Sequence, residues 1–177
     1  MKNVFLKRMA IIVIAAATMS MSAAAQRKGD MAAGVNLLFG TTSGYSNLGF
    51  GGKFMYNVTD PIQLAGEFDY FLKKNHVSFW DASIYGRYLF PVAEKIFVYP
   101  AVGIGVLGSV TSIPSVDIPG IGKIEGNAST TDFAFSLGGG AEYKLTSDLA
   151  LNAELRLKLI SGGDTWFNFL VGIAYKF

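Results

Sequence analysis

Large apolar side chains recur at every second position along most of the chain, with small or charged residues between them. The clearest case is "LALNAELRLKL". Leu149, Leu151, Ala153, Leu155, Leu157 and Leu159 share one parity, and Ala150, Asn152, Glu154, Arg156 and Lys158 share the other. A period of two puts successive side chains on opposite faces of an extended strand. Read this way, the sequence predicts eight strands: Met31–Phe39, Leu48–Val58, Ile62–Leu72, Trp80–Phe90, Ile96–Gly108, Phe133–Leu145, Leu149–Leu159 and Phe167–Phe177. They are long for strands of an ordinary globular sheet. No segment combines a 3.6-residue period with helix caps.

The charges obey the same alternation. Within the eight strands stand Lys53, Glu67, Asp69, Asp81, Arg87, Glu142, Lys144, Glu154, Arg156, Lys158 and Lys176, all on the parity opposite the large apolar residues. Alternation alone does not say which face is inside. A lipocalin-like soluble barrel is apolar within, and an outer-membrane barrel is polar within. The charged parity also carries Gly34, Gly49, Gly51, Gly103, Gly105, Gly138, Gly140 and Gly172. Small residues suit the crowded interior of an eight-stranded barrel, where side chains barely fit.

Aromatic positions point the same way. With the first strand rising from the periplasm, Phe39, Tyr70, Trp80, Phe133 and Phe167 fall near the outer rim. Tyr56, Tyr88, Phe90, Tyr143, Tyr175 and Phe177 fall near the inner rim. Two aromatic belts match the two interfaces of a bilayer. A tilted strand of about eleven residues rises ~28 Å, enough for the ~25 Å apolar band. Closure requires the first strand, Met31–Phe39, to pair antiparallel with the last, Phe167–Phe177, because backbone groups in hydrocarbon must all be bonded.

Short connections at Asn57–Pro61, Pro91–Lys95 and Thr146–Asp148 are assigned to the periplasmic end. The outer connections are Gly40–Asn47, Lys73–Val77, Val110–Thr131 and Ser161–Thr165. Only Val110–Thr131 is long, and it is read as a loop. Ile113, Val116, Ile118, Ile121 and Ile124 make it apolar for an exposed segment.

Composition narrows the chemistry. The 177 residues are 51% hydrophobic and 14% aromatic, with 21 glycines. There is no cysteine, which excludes disulfides and thiolate chemistry, and one histidine, His76, leaves little for a metal cluster. The net charge of +2 comes from Lys2, Lys7 and Arg8; the rest of the chain is slightly acidic, so the basic balance does not imply a nucleic-acid partner. Met1–Arg8, the apolar Met9–Ala17 and Ala23-Ala24-Ala25 have the layout of a secretory signal, cleaved between Ala25 and Gln26. The expected organisation is therefore a signal peptide at 1–25 and one barrel domain at 26–177.

Five acidic and six basic residues would face the lumen. Unpaired charges are costly there, so a salt-bridge network filling the barrel is expected; a polar path for ions or small solutes is the alternative. Lys53, Glu67, Arg87, Glu142, Glu154 and Arg156 are the candidates for its central layer, and no continuous water channel is expected. "GIGVLG" (Gly103–Gly108) fits G-x-G-x-x-G but lies within a strand, so small interior residues explain it better than a dinucleotide site. His76 and Ser78 faintly resemble the His/Ser pair of outer-membrane lipid A deacylases, but no accompanying acid is evident. Asn57 and Asn127 match glycosylation acceptors only by chance of turn composition.

The signal, the eight alternating strands, the glycine-flanked "AVGIGVLG" and "SLGGGAEYKL", and the terminal "VGIAYKF" together resemble the small OmpA/OmpX-like outer-membrane β-barrels. The likeness is to the "outer membrane protein beta-barrel" or "porin family" group of Bacteroidetes-type bacteria, and it spans Gly29–Phe177. It implies an all-β, eight-stranded antiparallel up-and-down transmembrane barrel in the cell outer membrane. It also implies that Tyr175 and Phe177 carry the signal read by the outer-membrane assembly machinery. The expected partners are outer-membrane lipids or lipopolysaccharide, that machinery, and an extracellular partner of Val110–Thr131; a monomer without cofactor is expected. The function read from this is a non-enzymatic structural or surface-interaction role with a charge-filled lumen. The alternatives are an OmpW-like channel for small or hydrophobic molecules and, more distantly, a lipid A-modifying enzyme.

Overall fold

The computed structural model describes residues 27–42, 44–118 and 122–177. The expected signal peptide, its Ala25/Gln26 boundary and Ile121 lie outside the described residues.

Nine strand elements form the wall: β1 (Met31–Thr42), β2 (Tyr45–Asn57), β3 (Ile62–Lys74), β4 (Val77–Tyr88), β5 (Phe90–Ala93), β6 (Ile96–Ile118), β7 (Gly122–Lys144), β8 (Leu149–Ile160) and β9 (Thr165–Lys176). β4 and β5 are one wall strand interrupted at Leu89, since both pair with β6. The irregularity falls beside Pro91, which has no N–H for the ladder; the register shifts between Pro91 and Ala93. The result is a closed eight-stranded antiparallel barrel.

Closure is by β1 and β9, whose ladder runs from Ala32↔Lys176 to Thr41↔Phe167. The Phe177 N–H also donates to the Met31 carbonyl at 3.0 Å. The predicted first-to-last pairing is therefore present. In hydrocarbon an open edge would strand a row of unbonded amides, which is why the ends must meet.

The connection Gly40–Asn47, expected as a loop, instead stays paired through Gly40↔Asn47 and Thr41↔Ser46 to Thr42↔Tyr45, which extends β1 and β2 toward the tip. Two further elements differ from the sequence-based expectation. The fourth strand starts at Val77 rather than Trp80, because Lys73–Val77 is not an open loop. Asn75 and His76 make a two-residue turn, both with positive φ (52° and 67°), and Lys74 faces Val77. That geometry matches the twist of flanking strands and lets them pair to the tip.

The larger difference is Val110–Thr131. It is not a loop: β6 and β7 stay paired through Val110↔Ser129 and Ile113↔Gly126 to Ile118↔Gly122. Ile113, Val116, Ile118 and Ile124 therefore lie on strands rather than in a loop. The register shift between Ile113 and Val116 brackets Pro114, where a bulge absorbs the missing donor.

Side-chain orientation follows the parity. Leu37 is 66% exposed and Val35 and Ile84 61%, whereas Lys53, Glu67, Asp69, Asp81, Arg87, Glu142, Glu154, Arg156 and Lys158 are all buried. Lys144 and Lys176, nearest the periplasmic end, are half-buried. The aromatics of both expected belts lie on the outside, though Tyr70, Trp80 and Phe90 are half-covered by neighbours. A Cβ on inward Gly51 would overlap the Asp69 carboxylate; on outward Gly52 its nearest neighbour would be 3.9 Å away.

Candidate functional site: the barrel lumen

Inward positions stack in layers up each strand. On β8 the sequence from periplasm outward is Asn152, Glu154, Arg156, Lys158 and Ile160. On β3 it is Gln63, Ala65, Glu67, Asp69 and Phe71. Polar layers thus occupy the middle and apolar ones the outer mouth.

The middle layer is an ion-pair cluster. Arg156 approaches Glu67 with two parallel bonds, Nη1 to Oε2 at 2.6 Å and Nη2 to Oε1 at 2.9 Å. It also donates to Glu154 through Nε at 2.9 Å and through Nη2. Arg87 Nη2 bridges Glu67 (2.5 Å) and Glu154 (2.9 Å). Lys53 Nζ donates to Asn152 Oδ1 at 2.7 Å and stands 3.7 Å from Glu154. Charge-assisted, two-point bonds of this kind are the strong ones, and they offset the cost of taking charges out of water. The Arg156 guanidinium lies 4.0 Å from the centre of the Tyr85 ring, which gives its other face a partner.

Nearer the outer mouth, Lys158 pairs with Asp81, whose other oxygen accepts from Ser83 Oγ at 2.7 Å. Asp69 stands opposite Asp81 in register. Its Oδ1 is buried with no hydrogen-bond partner, as are the Asn36 amide and Ser136 Oγ.

Of the six residues expected in the central layer, the fold brings together Lys53, Glu67, Arg87, Glu154 and Arg156. Glu142 is not among them. Its register partners are Phe97 and Asn152, and it lines a recess of about 40 Å³ at the periplasmic end with Asp30, Lys144 and Lys176. The Lys144 ammonium there lies 4.4 Å from the Phe97 ring centre. Lys176 Nζ is 2.6 Å from Asp30 Oδ2, which also accepts from the Arg27 backbone N–H at 2.7 Å. Partial burial pushes the Asp30 carboxyl upward, but these two donors outweigh it and hold it below the ordinary value of 3.8.

Sequence reasoning missed the outer-mouth layer. Leu38, Phe71, Leu107, Trp166 and Leu170 are buried inside the barrel, with Tyr45, Phe79 and Ile160 packed against them. Trp166 meets Phe79 and Phe71 edge-on at 4.9 and 5.5 Å. The signal was available: Trp166 and Leu170 share parity with Asn168, and Phe71 with Asp69. Large apolar residues on the charged parity at one end of the strands mark an internal apolar layer.

The remaining candidates take structural places. Gly103 and Gly105 lie inside, beneath Tyr85 and Ser83, and Gly108 lies outside beneath Trp80. His76 occupies the exposed turn and Ser78 is buried. Asn57 accepts from Gln63 Nε2 at 2.9 Å, and Asn127 is exposed on the β6–β7 ribbon. Tyr175 and Phe177 project outward at the periplasmic rim, where Phe177 packs 6.3 Å from Phe54. Among the described residues no group of three or more His, Asp or Glu side chains is placed to hold a metal ion.

Comparison with known proteins adds a family. The model for the outer membrane protein beta-barrel domain matches residues 11–177. Comparison with curated protein sequences finds no match. Among solved structures, Neisserial surface protein A is similar with a TM-score of 0.60 and 15% identity, over 84% of this chain and 96% of that one. Ail, the attachment invasion locus protein of Yersinia pestis, gives 0.58 and 15%, over 85% and 99%. The N-terminal barrel domain of Pseudomonas aeruginosa OprF gives 0.56 and 16%, over 86% and 100%. At these identities the likeness is one of fold.

Proposed function

The chain belongs to the outer membrane protein beta-barrel domain family, and from that premise we propose that it is a non-enzymatic outer-membrane barrel whose lumen is sealed and whose work is done at the cell surface. The observation that carries this reading is the free edge of the β6–β7 ribbon. β7 pairs with β8 only from Ala134 inward, so among the described residues Gly122–Asp132 has β6 on one side and no strand on the other. A row of unbonded N–H and C=O groups standing above the membrane is a template for an extended segment of an extracellular partner. Ail, by its name, serves attachment and invasion, and a surface role of that general kind suits a barrel with this outer edge.

Two layers support the sealed lumen: the Arg87–Glu67–Arg156–Glu154 cluster and the aromatic layer at the outer mouth. Planar-bilayer recordings of the refolded protein test it. Silence is expected; a steady ion conductance would favour the channel reading. The role of the ribbon is tested by replacing Ser112–Asn127 with a two-residue Asn-Gly turn. The shortened protein should still fold and reach the outer membrane, while adhesion of expressing cells to host matrix or neighbouring cells falls to background. Adhesion retained at full strength would place the activity elsewhere. The lipid A-modifying alternative predicts that His76→Ala alters the lipid A profile of overexpressing cells; no change is expected.

A further inference from the structure

The lipid-facing wall is not smooth. Gly66 and Ala82 leave a groove of about 490 Å³ across β3, β4, β6 and β7, walled by Ile84, Ile104, Val106 and Phe133. A Cβ at Gly66 would meet nothing within 4 Å, so the floor of the groove is open. In register, Gly66 faces Ile84, and Ala82 faces Phe68 on one side and Val106 on the other. Toward the outer rim Phe68 and Trp80 stack with ring centres 6.3 Å apart. The Trp80 indole covers Gly108, where any side chain would collide with it. On its outer side the groove therefore ends at the Phe68–Trp80 pair.

Above it stands a cation. Lys73, at the outer end of β3, reaches across to β6, where its Nζ donates to Ser112 Oγ at 2.7 Å. Ser112 is on the same face of β6 as Ile104 and Val106, beyond the rim end of the groove. The slot and the exposed Lys73 ammonium thus share the β3–β6 side of the wall, the ammonium at the outer ends of the strands. We propose that this barrel holds one anionic lipid of the outer leaflet, with an acyl chain in the Gly66–Ala82 groove and its phosphate near Lys73. The slot is too apolar for a hydrated ligand, and lipid already surrounds this face, so an acyl chain is the occupant its chemistry selects. The ammonium then selects among lipids by charge.

Tryptophan quenching tests this in the folded protein. The chain has two tryptophans, and Trp166 lies inside the barrel, so a Trp166→Phe variant leaves Trp80 as reporter beside the groove. The variant is reconstituted in phosphatidylcholine vesicles holding about one-tenth of either brominated phosphatidylglycerol or brominated phosphatidylcholine. One lysine near the surface favours the anionic lipid by about fivefold, and Trp80 quenching should show that preference. Ala82→Leu, which fills the slot, and Lys73→Gln, which removes the charge, should each abolish it; heat-modifiable migration verifies that each variant is folded. Should Ala82→Leu fail to fold, Lys73→Gln alone decides. Equal quenching by the two lipids, or a preference that survives Lys73→Gln, would overturn the site. A dimer dissolved by Ala82→Leu would put a second copy in the groove and overturn it too.

Discussion

Arg156 and Glu67 stand 89 residues apart in sequence, on β8 and β3, yet they meet inside the barrel through two parallel bonds of 2.6 and 2.9 Å. They lie on strands that are not neighbours, so this contact spans the lumen rather than the sheet. Removing one member leaves the others buried and uncompensated. Glu67→Ala should therefore cost about 3–5 kcal/mol of unfolding free energy, read as a lowered urea midpoint in detergent micelles or bilayers. Replacing Glu67 and Arg156 together by apolar residues of similar volume should cost less than the single change. Additive losses would mean the pair is not coupled.

Gly51 and Gly52 are adjacent but face opposite sides of the wall. Gly51→Ala drives a methyl into the Asp69 carboxylate and the Phe68 carbonyl, and overpacking of this kind costs about 1–3 kcal/mol. Gly52→Ala meets no atom nearer than 3.9 Å and restricts only the unfolded chain, so it should be neutral or stabilising by up to about 1 kcal/mol. Unfolding midpoints of the two variants, measured side by side, check the face assignment of β2. Equal effects would contradict it.

Much of this was legible in the sequence because one physical rule repeats along it. Every strand needs a lipid-compatible face and a lumen face, so the parity of Leu149–Leu159 or of Lys53 sorts side chains between the two faces without reference to the other strands, and the glycines and aromatics say which face is the lumen. Closure of β1 on β9 was readable for the same reason, since no edge survives in hydrocarbon. What parity does not carry is height. Glu142 sits on the correct face but one layer too low to join Glu154, because barrel stagger depends on the register of every neighbour in turn. The β6–β7 ribbon was hidden by a different cause. Val110–Ile118 obeys strand chemistry, but it lies beyond the membrane, where apolar content suggested a greasy loop. Trp166 and Phe71 were overlooked because a polar lumen was treated as uniform from end to end.

The Asp30–Lys176 pair clasps the seam between β1 and β9 at the periplasmic rim. The Asp30 carboxyl titrates below its ordinary value in the folded barrel, so the contribution is fully present above that value and is lost as pH falls through the lowered one. Lys176 is 36% exposed, so solvent screening limits the clasp to no more than about 1 kcal/mol. Asp30→Asn should lower the unfolding midpoint slightly at pH 7, and the gap from the parent protein should close as pH falls through the lowered carboxyl value and the parent's carboxylate protonates. A gap that persisted at low pH would assign the effect to packing instead of charge.

Leu155 lies on the outer face of β8, 51% exposed, between Glu154 and Arg156 of the central ion cluster. The cluster fixes its depth near the bilayer midplane, where an arginine has no water and too short a reach to either interface. Leu155→Arg should therefore cost about 2–4 kcal/mol. The neighbouring Arg156 is tolerated only because its side chain points the other way, onto Glu67 and Glu154. Heat-modifiable gel migration after refolding into lipid vesicles reads the difference. Leu155→Arg should leave a larger unfolded fraction and a lower urea midpoint, whereas arginine at Leu72, near the outer end of β3, should be nearly silent because cost falls toward the interface. Equal penalties at the two sites, or none at Leu155, would mean that the leucine face does not meet lipid, and the orientation of the whole wall would have to be reversed.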